Sequence, residues 1–271
     1  MDYVKFEDNK DFIFQHDENH GFTSKNNISR HYHNRFEIYF MESGSCNYFI
    51  DNKSYKVCEG DIVLIPEGVI HNTKYNTQTH SRYLISCSAR YIPASVASSM
   101  TSIIYLYRNS LVVERIKDIF EKIEEEVRGP DEYTNDACRC LTHMLFFLLA
   151  RNKNEYTEGS VSSGFVEEII RKIQKNYACE FSLSATAKEY SISAEHLSRT
   201  FKKETGFGFL EYVMIVRLRQ AEYMLRQSSS ISVSEVAYAC GFNDSNYFSH
   251  KFKKFHGYSP SEIKQQKRQK N

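Results

Sequence analysis

One pattern occurs twice in the C-terminal part of the sequence, and it constrains the fold more than any other feature. The first copy, SLSATAKEYSISAEHLSRTFKKETG, spans residues 182–206, and the second, SVSEVAYACGFNDSNYFSHKFKKFHG, spans residues 232–257. Repetition at a fixed offset predicts that one supersecondary unit is used twice. The residues that recur 51 positions later are Ser198, Phe201, Lys202, Lys203, Gly206 and Glu211, as Ser249, Phe252, Lys253, Lys254, Gly257 and Glu262.

The second copy is predicted to form a short helix, a tight turn and a second helix. Ser232 precedes the first helix and Glu235 lies three residues later, which is the spacing of a capping box. Gly241 suits the turn because positive φ costs glycine little. Asn243 or Asp244 is expected to cap the second helix. The corresponding cap positions of the first copy are occupied by Ser182 and Ser193.

The second helix of each copy is predicted to have one apolar side and one polar side. Leu197 and Phe201 are four residues apart, and so are Phe248 and Phe252, so each pair lies on one side of its helix. The polar side consists of Glu195, His196, Ser198, Arg199 and Lys202 in the first copy, and of Ser245, Asn246, Ser249, His250 and Lys253 in the second. Short polar side chains can reach base edges in a major groove while Arg and Lys neutralise phosphates. These residues are the candidate DNA contacts; the alternative is two helical hairpins with solvated faces.

A segment without Gly or Pro joins the two copies. In residues 209–226, apolar side chains at steps of three or four predict an amphipathic helix, and they are Leu210, Met214, Leu218, Ala221 and Leu225. At about 1.5 Å per residue the helix would be about 27 Å long. A rod of that length can hold two recognition helices roughly 34 Å apart, which is one turn of DNA. The two helices are therefore predicted to enter successive major grooves.

Residues 164–264 resemble the DNA-binding region of AraC/XylS-type transcription regulators. The stretch GFNDSNYFSHKFKKFHGYSPSEIK, residues 241–264, is similar to the signature of that family almost throughout. The resemblance implies a seven-helix domain with two helix-turn-helix units that activates transcription, often near RNA polymerase. It places base contacts on Glu195, Ser198 and Arg199 and on Ser245, Asn246 and His250. Ser191 stands where the family usually has a turn glycine.

Charge is divided unevenly along the chain of 271 residues, a length that suits two domains. Residues 164–271 contain 17 Lys and Arg against 11 Asp and Glu, a net charge of +6. Residues 1–163 contain 18 against 23, a net charge of −5. A basic C-terminal part beside an acidic N-terminal part is typical of a protein that binds nucleic acid at one end.

The cysteines and the hydropathy pattern bear on the cellular compartment. The seven cysteines form an odd set without a CxxC pair, which predicts free thiols in a reducing environment. No basic segment followed by an apolar run begins the sequence, so we expect no signal peptide. The longest apolar run, residues 144–150, is too short to cross a bilayer. A cytoplasmic protein that does not enter a membrane is therefore expected.

Short stretches between residues 35 and 88 alternate between apolar and polar side chains. Turn signals separate them at residues 43–45, 51–53, 59–61 and 66–68. Strands at a spacing of about ten residues predict an antiparallel barrel or jelly roll. The alternating apolar residues are Phe36, Ile38, Phe40, Tyr48, Ile50, Ile62 and Leu64.

The same region resembles a cupin. The first cupin motif is matched by His31, His33, Glu37 and Gly44, and the second by Gly60, Pro66, Gly68 and His71. In metal-binding cupins three His and one Glu hold the ion, and the resemblance places that set on His31, His33, Glu37 and His71. Such a set suits Fe, Mn, Ni or Zn. A polar pocket without a metal is the preferred hypothesis, because cupins attached to this DNA-binding domain usually sense small molecules without one.

The mouth of the barrel is the expected effector site with or without a metal. The candidate lining residues are His31, His33, Glu37, Tyr48, His71 and Tyr83, with Arg82 as a further candidate. Side chains of His and Tyr suit a sugar or other polyol through hydrogen bonds, or a small acid.

Two helices are predicted after the strands. Residues 111–127 have one apolar stripe, and residues 134–151 are apolar over much of their circumference. The second helix therefore has to be covered, either by the barrel wall or, as the family resemblance implies, by the helix pair of a second subunit. Glu124, Glu125 and Glu126 are expected on a solvated face.

The sequence thus predicts an α+β multidomain protein. Residues 1–152 are expected to form an antiparallel cupin or jelly-roll barrel with two helices, residues 153–163 a linker, and residues 164–271 an all-α domain with two helix-turn-helix units. The functional hypothesis is a non-enzymatic, effector-responsive transcription regulator, with activation favoured over repression. Its expected partners are double-stranded DNA, a small-molecule effector, RNA polymerase and a second copy of the chain, and no cofactor is expected. The alternatives are a metal-dependent cupin enzyme fused to a DNA-binding domain and a constitutive architectural DNA binder.

Overall fold

The chain divides into two units, Met1–Val161 and Ser162–Asn271. The computed structural model describes residues 3–8, 11–19, 29–31, 35–51, 53–77, 79–97, 110–152, 164–228 and 230–268. The predicted linker, residues 153–163, lies outside the described residues.

The described strands of the N-terminal unit form two antiparallel sheets. They are β1 (Tyr3–Asp8), β2 (Phe12–Asn19), β3 (Ser29–His31), β4 (Phe36–Ser43), β5 (Ser45–Ile50), β6 (Lys53–Cys58), β7 (Ile62–Ile65), β8 (His71–Tyr75) and β9 (His80–Cys87). One sheet has the order β1-β2-β9-β4-β7 and the other the order β3-β8-β5-β6. The antiparallel pairing predicted from the short alternating stretches is confirmed, and the predicted turns lie between strands β4 and β8.

Strand β4 shows how the two faces of the first sheet differ. Phe40 faces the helices that follow the strands, and its ring centroid lies 5.7 Å from that of Phe120. Tyr39, its neighbour in sequence, faces the second sheet and lies 5.2 Å from the ring of Tyr48. Both faces of the strand are thus covered, which is why β4 is buried along most of its length.

Helices cover the outer face of the first sheet. A short 3₁₀ turn, Ala89–Tyr91, is followed by α1 (Ala94–Ala97), α2 (Ser110–Arg128) and α3 (Thr134–Arg151). The predicted stripe of α2 is buried, and it consists of Val112, Ile116, Ile119, Ile123 and Val127. Side chains of α3 join the same core, including Cys138, Leu145, Leu148 and Leu149. Packing on the barrel wall therefore accounts for the side of α3 that carries these buried residues. Met144, on the same helix, is 54% exposed.

The expectation that Glu124 lies on a solvated face is wrong. Its side chain is buried where α2 packs on the first sheet. Its Oε2 accepts a hydrogen bond from His16 Nδ1 of β2 at 2.8 Å, and its Oε1 accepts one from Arg128 Nε at 3.0 Å. A buried carboxylate has to be paired in this way to offset its lost hydration. Glu125, by contrast, is exposed.

Seven helices make up the C-terminal unit over the described residues 164–228 and 230–268. They are α4 (Gly164–Lys175), α5 (Leu183–Glu189), α6 (Ala194–Thr205), α7 (Phe209–Gln227), α8 (Val233–Ala239), α9 (Ser245–His256) and α10 (Pro260–Arg268). Helices α5 and α6 form the first helix-turn-helix unit, and α8 and α9 form the second. The all-α domain with a repeated unit, as predicted, is confirmed.

Side chains cap the N-termini of the helices in both helix-turn-helix units. Ser182 and Ser193 each accept a hydrogen bond from a backbone N–H of the following turn. Ser232 does the same, and Glu235 accepts the backbone N–H of Ser232 at 2.6 Å, so the predicted capping box is present. Of the two candidates for the last cap, Asp244 is the one whose carboxylate accepts the N–H.

The two helix-turn-helix turns differ by one residue. Helices α5 and α8 begin 50 residues apart, at Leu183 and Val233, whereas α6 and α9 begin 51 residues apart. The backbone of both turns passes through positive φ, at 55° for Ser191 and at 81° for Gly241. Ser191 therefore adopts the conformation for which the family usually has glycine, which is uncommon for a residue with a side chain.

Helix α7 lies at the centre of the C-terminal unit. Leu218, Ala221 and Leu225 are buried as predicted, but Leu210 is 57% exposed, so its assignment to the buried stripe was wrong. Burial instead extends around the helix, because α4, α6, α8, α9 and α10 all contact it. The further buried side chains are Phe209, Tyr212, Val213, Ile215, Val216 and Glu222.

Candidate nucleic-acid interface and effector site

Helix α6 presents a polar face to solvent. Leu197 and Phe201 on the other side of the helix are fully buried, which fixes the rotation of the helix in the unit. The predicted contact residues on the free side are all exposed, and they are Glu195, His196, Ser198, Arg199 and Lys202. Arg199 Nη1 lies 3.7 Å from Glu195 Oε1, and because both side chains are mostly solvated this pair contributes little energy.

Helix α9 repeats the arrangement with a difference at its serines. Asn246, His250 and Lys253 are exposed, whereas Ser245 and Ser249 are partly buried. The Ser249 hydroxyl donates to the backbone carbonyl of Ser245 at 2.8 Å. The serines of this face are therefore less available to a partner than Asn246 and His250.

Tyr247 is an exposed aromatic residue on α9 that the sequence reasoning missed. Its side chain is about half exposed, and Lys251 Nζ lies 5.2 Å from its ring centroid. The signal available in the sequence was weak, because an aromatic residue beside Phe248 is more readily interpreted as core.

Arg217 of α7 connects the two helix-turn-helix units. Its Nε donates to the carbonyl of Tyr177 and its Nη2 to the carbonyl of Cys179, both at 2.8 Å, in the segment that precedes α5. Its guanidinium carbon also lies 6.0 Å from the ring centroid of Phe242, in the turn between α8 and α9. These contacts join the entry to the first unit, the central helix and the turn of the second unit.

A buried carboxylate on α7, that of Glu222, binds residues of the second helix-turn-helix unit and of the segment that follows it. Glu222 Oε1 accepts hydrogen bonds from Arg226 Nε at 2.9 Å and from the Tyr258 hydroxyl at 2.6 Å, and His256 Nδ1 lies 3.4 Å from Oε2. Since His256 ends α9 and Tyr258 follows it, this network orients α9 on α7. Burial lowers the pKa of His256, although Glu222 opposes that shift.

Three of the predicted effector residues lie together between the two sheets of the N-terminal unit. The Tyr48 hydroxyl donates to Glu37 Oε1 at 2.6 Å, and His71 Nε2 lies 3.5 Å from Glu37 Oε2. His71 Nδ1 donates to the carbonyl of Val69 at 2.8 Å. Burial alone would lower the pKa of His71, but the Glu37 carboxylate and the Val69 carbonyl raise it above its ordinary value. The group therefore favours an imidazolium beside a carboxylate.

The other predicted effector residues have different outcomes. His31 pairs in register with His71 across β3 and β8, which brings its backbone to this end of the barrel. His33 lies outside the described residues, so the proposed metal set is not tested. Tyr83 is wrong as a lining residue, because it faces the helices, with its ring centroid 5.3 Å from that of Phe120. Its sequence neighbour Arg82 lies on the interior face instead, near the ring of Tyr39.

A group of potential metal ligands occurs on the helix side of the first sheet. Among the described residues, ligand atoms of His16, Glu18 and Glu42 lie within 4.8 Å of one another. Glu42 is paired with Lys117 Nζ at 2.8 Å and accepts a hydrogen bond from the Ser81 hydroxyl at 2.6 Å. His16 is bound to Glu124, as described above. Pairing within the protein accounts for this group without an ion.

Comparison with known families identifies both units. The model of the AraC-like ligand-binding domain matches residues 12–136, and the model of a helix-turn-helix domain matches residues 186–266. The chain belongs to the AraC family of transcription regulators. Proteins of this AraC-family composition bind DNA through the helix-turn-helix domain and a small-molecule effector through the ligand-binding domain, and they are not normally enzymes.

This AraC-family regulator is similar to one curated activator and to two solved structures as follows. The HTH-type transcriptional activator RhaS of Escherichia coli is 24% identical over 246 residues, which cover 87% of each protein. Among solved structures, an apo form of ToxT from Vibrio cholerae is 14% identical, covers 96% of this chain and 98% of its own, and has a TM-score of 0.40. The C-terminal domain of the two-component response regulator yesN from Fusobacterium nucleatum is 32% identical, covers 38% of this chain and 99% of its own, and has a TM-score of 0.36.

No helix in the described parts of this AraC-family chain combines the length and the apolar character that crossing a bilayer would require.

Proposed function

We propose that this regulator is an effector-responsive transcription activator that contacts its DNA site with both α6 and α9. The observation that carries the proposal is the exposure of both polar faces on one helical unit, with the apolar faces buried around α7. Polar side chains specify bases, and cations position the protein on phosphates. Arg199 on α6 and Asn246 on α9 are proposed as base contacts because both are exposed and can form bidentate hydrogen bonds with bases. Lys202 and Lys253 are the proposed phosphate contacts.

The effector is proposed to bind in the barrel of the N-terminal unit. The interior contains a buried carboxylate, a phenol and an imidazole, which belong to Glu37, Tyr48 and His71. The phenol hydroxyl lies 2.6 Å from one carboxylate oxygen, and the imidazole Nε2 lies 3.5 Å from the other. An effector can change regulation only if it binds the DNA-competent arrangement with a different affinity from the other arrangement. Activation is supported by the description of the relative RhaS as a transcriptional activator. RNA polymerase is a further proposed partner, because a protein that activates transcription acts on that enzyme.

A second copy of the chain is the proposed protein partner. Met144 of α3 is largely exposed, and so is Tyr133, the residue that precedes the helix, although other side chains of α3 pack on the barrel. Large apolar side chains in solvent on a helix that is otherwise buried favour a helix-pair contact between two subunits.

The base contacts are tested by alanine substitution. Arg199→Ala and Asn246→Ala are each expected to weaken binding by about 1–3 kcal/mol and to relax base preference at one half of the site. The physical reason is that each removes hydrogen bonds to base edges from one recognition helix only. Affinities for a selected operator and for its single-base variants measure this effect. Each variant is the control for the other, and losses at the same half-site would contradict the assignment of α6 and α9 to different halves.

The phosphate contact is tested by the dependence of affinity on salt. Lys253→Ala should weaken binding to all sequences alike and reduce the slope of log K against log salt by about 0.9, because one phosphate contact is lost. Lys253→Arg keeps the charge and should retain both the affinity and the slope. A loss confined to one DNA sequence would contradict a phosphate role.

A further inference from the structure

Arg82 is a cation on the interior face of the barrel. It lies on β9, where it pairs with Met41 of β4 and with Asp17 of β2. The alternation along β9 directs Tyr83 towards the helices and Arg82 towards the second sheet, where its guanidinium carbon lies 5.8 Å from the ring centroid of Tyr39. A charged side chain is thereby placed among Tyr39, Met41 and the core between the sheets.

The guanidinium is incompletely paired by the residues that the structure describes. Its Nη2 lies 3.8 Å from Asp17 Oδ2, which is longer than a hydrogen bond, and the Arg82 side chain is 13% exposed. Its Nε is buried and has no hydrogen-bond acceptor among the described residues. Because a buried donor without an acceptor costs free energy, this arrangement favours an added anion.

Two further polar groups lie beside Arg82. Tyr75 and His80 stack with ring centroids 3.6 Å apart, and the Tyr39 hydroxyl lies 3.5 Å from that of Tyr75. His80 is 5% exposed, and its buried Nδ1 has no hydrogen-bond partner among the described residues. Burial lowers the pKa of His80, Asp17 opposes that shift and Arg82 adds to it, and the net lowering favours a neutral imidazole that can donate a hydrogen bond. A cation, a phenol and a neutral imidazole thus occur at one end of the barrel.

We propose that Arg82 binds the carboxylate of a small monocarboxylic acid, which is the effector of this protein. The proposal rests on the proposed function, which places the effector in the barrel, and it chooses an acid over a neutral polyol. The planar guanidinium matches a carboxylate through two parallel hydrogen bonds, and Tyr75 and His80 can donate others.

Two carboxylates act on Arg82. Burial lowers the pKa of Arg82, but the phenols of Tyr75 and Tyr39 and the carboxylates of Asp17 and Glu37 raise it above its ordinary value. Glu37 is the more distant carboxylate along the sheet, because it lies four residues, or about 14 Å at about 3.4 Å per residue, from Met41, the partner of Arg82 on β4. Asp17, in contrast, is close to the guanidinium and opposes a bound anion by charge repulsion.

The proposal is tested by isothermal titration calorimetry of the full chain. The ligands are acetate, butyrate and benzoate, the primary amide of each of these acids, and inorganic phosphate. The wild type is expected to bind at least one acid and not its amide. Arg82→Gln should weaken that binding at least about tenfold, since hydrogen bonds to a charged group are lost. Asp17→Asn should tighten binding of the acid and leave the amide unchanged. Arg90→Gln, which removes an exposed arginine paired with Asp11, is the matched control and should have no effect.

Circular dichroism verifies that each variant is folded. Should Arg82→Gln not fold, Asp17→Asn still decides, because unchanged or weaker binding of the acid in that variant would overturn the proposal. Binding of none of the acids, equal binding of acid and amide, or binding of phosphate alone would overturn it as well. Operator binding measured with and without the acids separates the two proposals. A wild type that binds its operator but none of the acids disproves the anion site alone, whereas a wild type that binds no specific DNA in either condition disproves the proposed function.

Discussion

Gly241→Ala is expected to destabilise the C-terminal unit by about 2–5 kcal/mol. Gly241 has φ of 81°, a conformation that costs a residue with a side chain about 1–2 kcal/mol. In addition, a Cβ at this position would lie 2.5 Å from the carbonyl oxygen and 2.9 Å from the Cα of Ala178. These are backbone atoms, so relief requires a shift of the segment that precedes α5, and strain of this kind typically costs about 1–3 kcal/mol.

Gly257→Ala is the matched control for this prediction. Gly257 also has φ of 81°, but no atom beyond its chain neighbours lies within 4 Å of the position of its Cβ. Its substitution should therefore cost only the conformational part, about 1–2 kcal/mol. Urea denaturation of the full chain, followed by the helical circular-dichroism signal, measures both. Equal losses in the two variants would show that the approach of Ala178 to Gly241 contributes nothing.

Phe252→Ala is expected to destabilise the same unit by about 3–5 kcal/mol. Phe252 is fully buried on α9, and its ring centroid lies 5.4 Å from that of Phe248 and 4.1 Å from that of His256. Truncation removes the apolar contacts and leaves a cavity between α9 and α7 that the fixed helices cannot close. The same change should weaken DNA binding, because α9 is presented by this packing.

Lys253 supplies the control for that substitution. It follows Phe252 directly and is exposed, so Lys253→Ala should change the free energy of unfolding by less than about 0.5 kcal/mol. The two variants are thus expected to separate stability from affinity: Phe252→Ala lowers both, and Lys253→Ala lowers affinity alone. A loss of less than about 1 kcal/mol in the urea denaturation of Phe252→Ala would contradict the burial of this ring.

Local features of the C-terminal unit were predictable because they depend on a few adjacent residues. The caps at Ser182, Ser193 and Ser232 and the turn at Gly241 follow from hydrogen bonds and backbone preferences within one helical turn. Because the pattern recurs after 51 residues, the same prediction applied to both helix-turn-helix units. The contact of Arg217 with the carbonyls of Tyr177 and Cys179 was not predictable, since it joins residues that are 40 and 38 positions apart.

The errors at Tyr83, Glu124 and Leu210 have different physical causes. Burial on both faces of a strand removes the contrast on which pattern reasoning depends. Tyr83 and Arg82 are neighbours on a strand covered on both faces, and the pattern did not show that the arginine is the interior residue. Glu124 was assigned to solvent because it follows the rule for charged residues, but His16 and Arg128 pair with it. Leu210 was assigned to the core because it is apolar and correctly spaced, but no neighbouring helix covers it.

The sequence by itself determined that this protein has a repeated helix-turn-helix unit, a helix between the copies and an antiparallel sheet domain before them, because periodicity, caps and turn residues act over short distances. Only the tertiary structure decided which side chains share the interior of the barrel and which arginine of the central helix α7 connects the two helix-turn-helix units. Those arrangements depend on residues far apart in the chain, whose proximity follows from the packing of sheets and helices.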